Sequence, residues 1–276
     1  MELILSTGSV HTLPLDRQFA VAREAGFAGL EYVVTREHDQ RKEAELLARS
    51  ADWSMPIRNL HAPFQRMDGW GDQASRVMRT VEMARRLGSR SITFHPPQRA
   101  LEEVDFVRWI GQIDDFQAEV GGGDVLITVE NMPRARTWRG IRLPFATAPF
   151  RYQKRDELWD LLEQRNLFLT FDTTHFGTAG ENLAACFAQF RDRVRTVHLS
   201  NFRARDFQEH LPPHEGDLDL TAFLRRLAHS GYDGYITLEV FPHFLENRLG
   251  GIRQGLADFM EWTAWALEPV SSATGD

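Results

Sequence analysis

Cysteine is almost missing from this chain. Cys186 stands alone among 276 residues, so no disulfide forms within it, and a reducing, cytoplasmic setting is expected. Lysine is nearly as scarce: of 32 basic residues only Lys42 and Lys154 are lysines, and neither sits in a strand-like run. Imine chemistry from a core lysine is thereby almost excluded. No apolar run reaches about 18 residues, so neither a membrane span nor a membrane partner is expected. The start, Met1-Glu2-Leu3-Ile4-Leu5, has an acidic flank and reads as a strand rather than a signal peptide. A basic stripe is lacking too. The formal charge of −7 and the pI of about 5.8 weigh against a nucleic-acid partner. Finally, no G-x-G-x-x-G follows the first strand-like run, which disfavours an open, doubly wound sheet.

What is present alternates. Short strand-like runs occur at Leu3–Ser6, Gly29–Val34, Ile57–His61, Ser91–His95, Val125–Glu130, Leu167–Asp172, Val194–Leu199 and Tyr235–Val240. Amphipathic stretches separate them: Asp16–Ala25, Lys42–Trp53, Gln73–Leu87, Leu101–Val120, Asp156–Gln164, Glu181–Phe190 and Leu220–Ser230, with Leu256–Leu267 closing the series. In Gln73–Leu87 the apolar Val77, Val81, Ala84 and Leu87 share one face. Strands alternating with helices imply parallel βαβ units, and eight of them predict a single α/β domain, a (β/α)8 TIM barrel over residues 1–268. Length alone would suggest two domains, but barrels of about 250 residues are common. Residues 269–276 read as a flexible C-terminal tail. The segment Pro133–Tyr152 holds Arg134, Arg136, Arg139, Arg142 and Arg151. Such a loop suits an anionic substrate, DNA phosphates, a second copy of the chain in a homo-oligomer, or plain solvent.

From the third strand to the eighth the runs end alike: Asn59-Leu60-His61, Thr93-Phe94-His95, Thr128-Val129-Glu130, Thr170-Phe171-Asp172, Thr196-Val197-His198 and Thr237-Leu238-Glu239. In a barrel these ends converge at one face. A lone strand-end histidine is more often a hydrogen-bonded core residue. Six consecutive ionisable ends are another matter, because carboxylates and imidazoles buried together need neutralising. A divalent cation does that, and with no thiolate at the site zinc, manganese, cobalt and magnesium all qualify. Elsewhere the bland reading holds. His11, His38, His214, His229 and His243 fit loops or helix surfaces, Cys186 fits helix packing, and Trp53, Trp109, Trp159, Trp262 and Trp265 fit core or interface positions.

With those strand ends, and with His210-Leu211-Pro212-Pro213-His214-Glu215-Gly216-Asp217, the chain resembles the xylose isomerase-like TIM barrel superfamily of sugar isomerases, epimerases, inosose-processing enzymes and endonuclease IV. His214 takes the place of a glycine in that family's H-x-x-P-G-E-G turn. The resemblance implies a metal site at Glu130, Asp172, His198 and Glu239, holding one or two ions, zinc or manganese foremost. It makes Glu130 and Glu239 the catalytic acid/base pair and places His61, His95, His175 and Arg203 toward substrate, with Arg205 a second candidate for the arginine. His61, His95, His175 and His210 match the extra ligands of the trinuclear endonuclease. The aspartate that pattern expects before the last histidine is Gln208 here, with Asp206 or Glu209 as substitutes.

The leading expectation is therefore a cytoplasmic, metal-dependent isomerase or epimerase. It would act on a small sugar or sugar-like polyhydroxy carbonyl compound by proton transfer through an enediolate. The runner-up is a zinc phosphoesterase acting on abasic DNA, and a metal-binding barrel without catalysis comes third. Phe64, Trp70, Trp138 and Phe202 are the aromatic candidates for a pocket wall.

Overall fold

The computed structural model describes residues 1–36, 40–98, 103–134, 137–138, 141–142 and 150–268. The predicted tail at 269–276, His38, and Arg136 and Arg139 of the arginine-rich segment lie outside the described residues. Eight parallel strands form a closed ring. They are β1 (Glu2–Ser6), β2 (Gly29–Val33), β3 (Ile57–His61), β4 (Ser91–Phe94), β5 (Leu126–Glu130), β6 (Phe168–Asp172), β7 (Val194–Leu199) and β8 (Tyr235–Leu238). Neighbours in sequence are neighbours in the ring, and β1 closes on β8 with Glu2 beside Tyr235 and Leu5 beside Leu238. The single (β/α)8 barrel expected from the alternation is what the chain forms.

Outer helices follow the strands: α1 (Leu15–Ala25), α2 (Gln40–Asp52), α3 (Gln73–Leu87), α4 (Glu103–Gly111), α5 (Arg155–Gln164), α6 (Leu183–Phe190), α7 (Leu220–His229) and α8 (Gly251–Leu267). The α3 bounds are those its periodicity predicts. Asp72 starts it by accepting the Ser75 N–H at 2.8 Å, and Gly88, at φ 70°, ends it in a left-handed conformation that a side chain would strain. The stretch Leu101–Val120, expected as one helix, divides. After α4 the chain turns, and Asp115 caps a separate short helix, Phe116–Glu119, by accepting the Ala118 N–H at 3.0 Å. Glu119 reaches back to the N–H groups of Asp114 and Asp115. Local carboxylate caps thus outcompete continuation of the helix.

The apolar core lies between ring and helices, for instance where Phe171 of β6 stacks on Phe223 of α7 with centroids 5.2 Å apart. Inside the ring the layer beneath the strand ends is polar instead. The hydroxyls of Thr93, Thr128 and Thr170 bond one another at 2.6–3.1 Å. Each precedes a strand-end His, Glu or Asp by two residues, so both point to the same face of the strand. Among the described residues no helix is long and apolar enough to cross a membrane.

Candidate metal centre at the strand ends

Glu130 is the hub. It ends β5 and is 1% exposed, and four imidazoles face its two oxygens. His61 Nε2 and His95 Nε2 lie 3.2 and 3.0 Å from Oε2, while His175 Nδ1 and His198 Nδ1 lie 3.2 and 3.3 Å from Oε1. Three donor groups result, each with its ligand atoms within 4.8 Å of one another: His61, His95 and Glu130; Glu130, Asp172, His198 and Glu239; and Asp172, His175 and His210. The four residues that the resemblance assigns to the metal are thus together, and the four extra histidines border them.

The histidines are held in the form a metal needs. His61 Nδ1 donates to the Ala62 carbonyl at 2.9 Å, which leaves Nε2 toward Glu130. His175 Nδ1 donates to the Asn131 carbonyl at 2.8 Å, and His210 Nδ1 to the Glu239 carbonyl at 3.3 Å. His198 is reversed: Nε2 donates to Glu31 Oε2 at 2.9 Å, so Nδ1 faces Glu130, Asp172 and Glu239. Anchoring one ring nitrogen leaves the other's lone pair free for a cation. Asp172 is similarly divided. Its Oδ1 caps the short helix Thr173–Thr178 by accepting the His175 N–H at 2.6 Å, and Asn131 clamps its backbone through two bonds.

Whether a cation fits is answered by the atoms left over. Asp172 Oδ2, His198 Nδ1 and Glu239 Oε2 are buried without a hydrogen-bond partner, and all three belong to one donor group. Leaving three such atoms unsatisfied is costly, and one divalent ion among them satisfies all three. The donors fit the group: oxygen and imidazole nitrogen, no thiolate.

The charges say the same. Burial opposes ionisation of Glu130, but His198 and His95 outweigh it and hold the carboxyl well below its usual range. Burial likewise works against Glu239, yet His198 brings it down to about 2. Asp172, where burial prevails, is pushed up to about 6. Burial disfavours the charged imidazoles, but Asp172 and Glu130 carry His175 up to about 10, and Glu31 and Glu239 carry His198 well above its ordinary value. Protons on imidazoles therefore balance the carboxylates wherever a cation does not.

Glu31 is the residue that the strand-end pattern passes over. It lies within β2, is wholly buried, and besides holding His198 accepts Asn59 Nδ2 at 2.6 Å. Its signal was a carboxylate inside an apolar five-residue strand. We expect Glu31→Gln to keep the fold and lower metal affinity roughly 10–100-fold, the usual effect of losing a partner behind a metal-binding histidine. Competition against a chelator measures it, and an unchanged affinity would remove Glu31 from the site.

His210 is carried on an antiparallel hairpin of Asn201–Arg203 with Gln208–Leu211, at a left-handed φ of 51° that marks a constrained position. The following turn is tied by Asn201, whose Oδ1 accepts from Phe202 and Leu218 and whose Nδ2 donates to the Pro213 carbonyl. Gly216 has no room for a Cβ, which would lie 2.3 Å from that oxygen. His214, at the unusual position, accepts from Arg248 at 3.0 Å. Arg203 is turned onto Asp206 and Gln208, so the Gln208 amide oxygen and the Asp206 carboxylate are both engaged. The donor beside His175 and His210 is Asp172, not a residue of the hairpin.

A ring whose strand ends gather carboxylates and imidazoles defines a class, and this chain belongs to it: residues 19–262 match the xylose isomerase-like TIM barrel family. It is similar to the uncharacterized protein ML2432 of Mycobacterium leprae, 27% identical over 253 residues, which cover 86% of this chain and 87% of that one. A solved D-tagatose 3-epimerase-like protein superposes with a TM-score of 0.71 at 19% identity over 97% of each chain. The IOLI protein, solved with a zinc atom bound, does so with a TM-score of 0.68 at 15% identity, over 97% of this chain and 98% of that one.

Proposed function

We propose that the chain is a metal-dependent isomerase or epimerase of a sugar or sugar-like polyhydroxy carbonyl compound. The observation that carries this reading is the pairing of Glu130 and Glu239 in one donor group with Asp172 and His198, where Glu239 alone among the four keeps 23% of its side chain exposed. Glu130, Asp172, His198 and Glu239 would hold the ion, zinc or manganese foremost by the family resemblance, and the ion would supply Lewis-acid polarisation of the substrate carbonyl. Glu239 reaches the substrate and moves the proton on the carbon next to that carbonyl. Glu130 is the second carboxylate of the pair. His61, His95 and His175 line the same floor toward substrate. Arg203 meets substrate only by leaving Asp206 and Gln208. The zinc in one solved relative and the epimerase likeness of another support the reading.

The test is solvent exchange. Zinc- or manganese-loaded protein incubated in heavy water with ketoses, aldoses and inososes should place deuterium on the carbon adjacent to the carbonyl. The phosphoesterase reading is favoured by His61, His95, His175 and His210, which belong to the two donor groups on either side of the proposed ion. Cleavage of abasic DNA with no exchange across the panel would overturn the isomerase reading in its favour.

A further inference from the structure

Glu130, Asp172 and His198 are at most 1% exposed, and their donor group reaches solvent through Glu239, at 23%, while His95 of the neighbouring group is 19% exposed. Glu239 and the half-buried His210 form one end of a cavity of about 660 Å³ that runs between the segments following β1, β2, β3 and β8. Most of its wall is hydrocarbon, from Leu13, Val34, Phe64, Met67, Phe241 and Pro242 among others. Phe64 and Phe241 leave 55% and 43% of their surface uncovered beside it, as ligand-facing aromatics do.

Several of the polar side chains along this wall are engaged by the protein itself, and Thr35 is exposed. Thr7 Oγ1 accepts the Val33 N–H at 2.9 Å, Gln18 Nε2 donates to the Leu13 carbonyl at 2.8 Å, and His11 Nδ1 donates to the Gly8 carbonyl at 2.8 Å. Lys42 is paired with Glu45. Arg36 and Gln65 are exposed, at the rim. A bare pentose or hexose in this cleft would bring its hydroxyls against carbon and lose their water without replacement. The volume also exceeds the need of one sugar ring, since pockets of roughly 300–1,000 Å³ serve drug-sized ligands.

We infer that the substrate is a hydroxy-carbonyl compound bearing an apolar substituent, alkyl or aryl. Its oxygens sit at Glu239 and the donor group, and the substituent lies along the cleft toward Leu13 and Met67. The head group rests on the reading in the preceding section. The substituent rests on the cleft alone.

Linear hydroxamates test this, because acetohydroxamate through octanohydroxamate chelate a divalent ion with the same two oxygens and differ only in chain length. Calorimetric titration of zinc-loaded protein should show affinity rising roughly fourfold per added methylene, the increment for burying one such group. Leu13→Asn and Met67→Asn, on separate segments so that a folding failure of one leaves the other, should each flatten that slope while acetohydroxamate binds as before. In chelator-stripped protein the slope should persist at lower overall affinity. A flat series on zinc-loaded protein overturns the inference, as it would if a segment of this chain filled the cleft, and leaves the metal reading intact. A chain that takes up no zinc yet keeps the slope when stripped supports the cleft and removes the metal reading.

Discussion

Glu130→Gln protein should emerge from zinc loading with little bound metal and with turnover reduced about 10⁴-fold or more, at or beyond the top of the range for loss of a single acid or base. The size follows from position. Glu130 contributes to two of the three donor groups, and its two oxygens face four imidazoles. Glutamine keeps the shape but replaces one oxygen with an N–H donor, aimed at imidazole nitrogens that include ones whose lone pairs a cation needs. It also removes one of the buried carboxylates that balance protonated His175 and His198. The metal-free variant should therefore unfold with about 3 kcal/mol less stability than metal-free wild type, the cost of stripping one partner from a buried ion pair. Metal analysis beside a thermal or denaturant melt gives both numbers. Full metal content with normal melting would deny Glu130 its central place.

Glu239→Gln should behave differently. Turnover and deuterium exchange should fall about 10²–10⁴-fold, the range for losing a positioned proton-transfer group. Metal should be weakened rather than lost, because Glu130, Asp172 and His198 of the same donor group remain and glutamine keeps one oxygen to offer. The informative result is this split: exchange lost at a metal concentration that titration shows to saturate the variant. Exchange that survives in the variant would move the proton-transfer role to another residue.

The contrast between Glu239 and Glu31 shows what the sequence makes legible. Strand ends are readable because an apolar run that stops at His, Glu or Asp marks both a boundary and a direction, and a barrel converts direction into a meeting point. His95 and Glu239 lie one residue past β4 and β8, within the reach of that logic. Glu31 sits inside its strand, and its partner His198 is 167 positions away, so no local pattern pairs them. Arg203, which the resemblance placed toward substrate, shows another limit: three residues on, Asp206 takes its guanidinium, and the hairpin that carries Arg203 has no apolar alternation to signal that pairing. Of the four aromatics expected in a wall, Phe64 lines the cavity. Trp70 packs on the core, Phe202 is buried edge-on to Phe207 with centroids 5.2 Å apart, and the Trp138 side chain lies outside the described residues. An isolated aromatic carries no signal for its own orientation.

The ring closure has a thermodynamic side. The donor residues come from separate strands, and the Glu31 bond that steadies His198 ties β2 to β7 across most of the chain. An incomplete ring has no donor group to offer. On the reading proposed above, a cation seated here would bind the finished fold in preference to the unfolded chain, and by mass action would widen the free-energy gap between them by an amount set by its concentration relative to its dissociation constant. Holding the ion and keeping the barrel shut would then be one equilibrium, in which metal supply governs the lifetime of the fold as well as turnover.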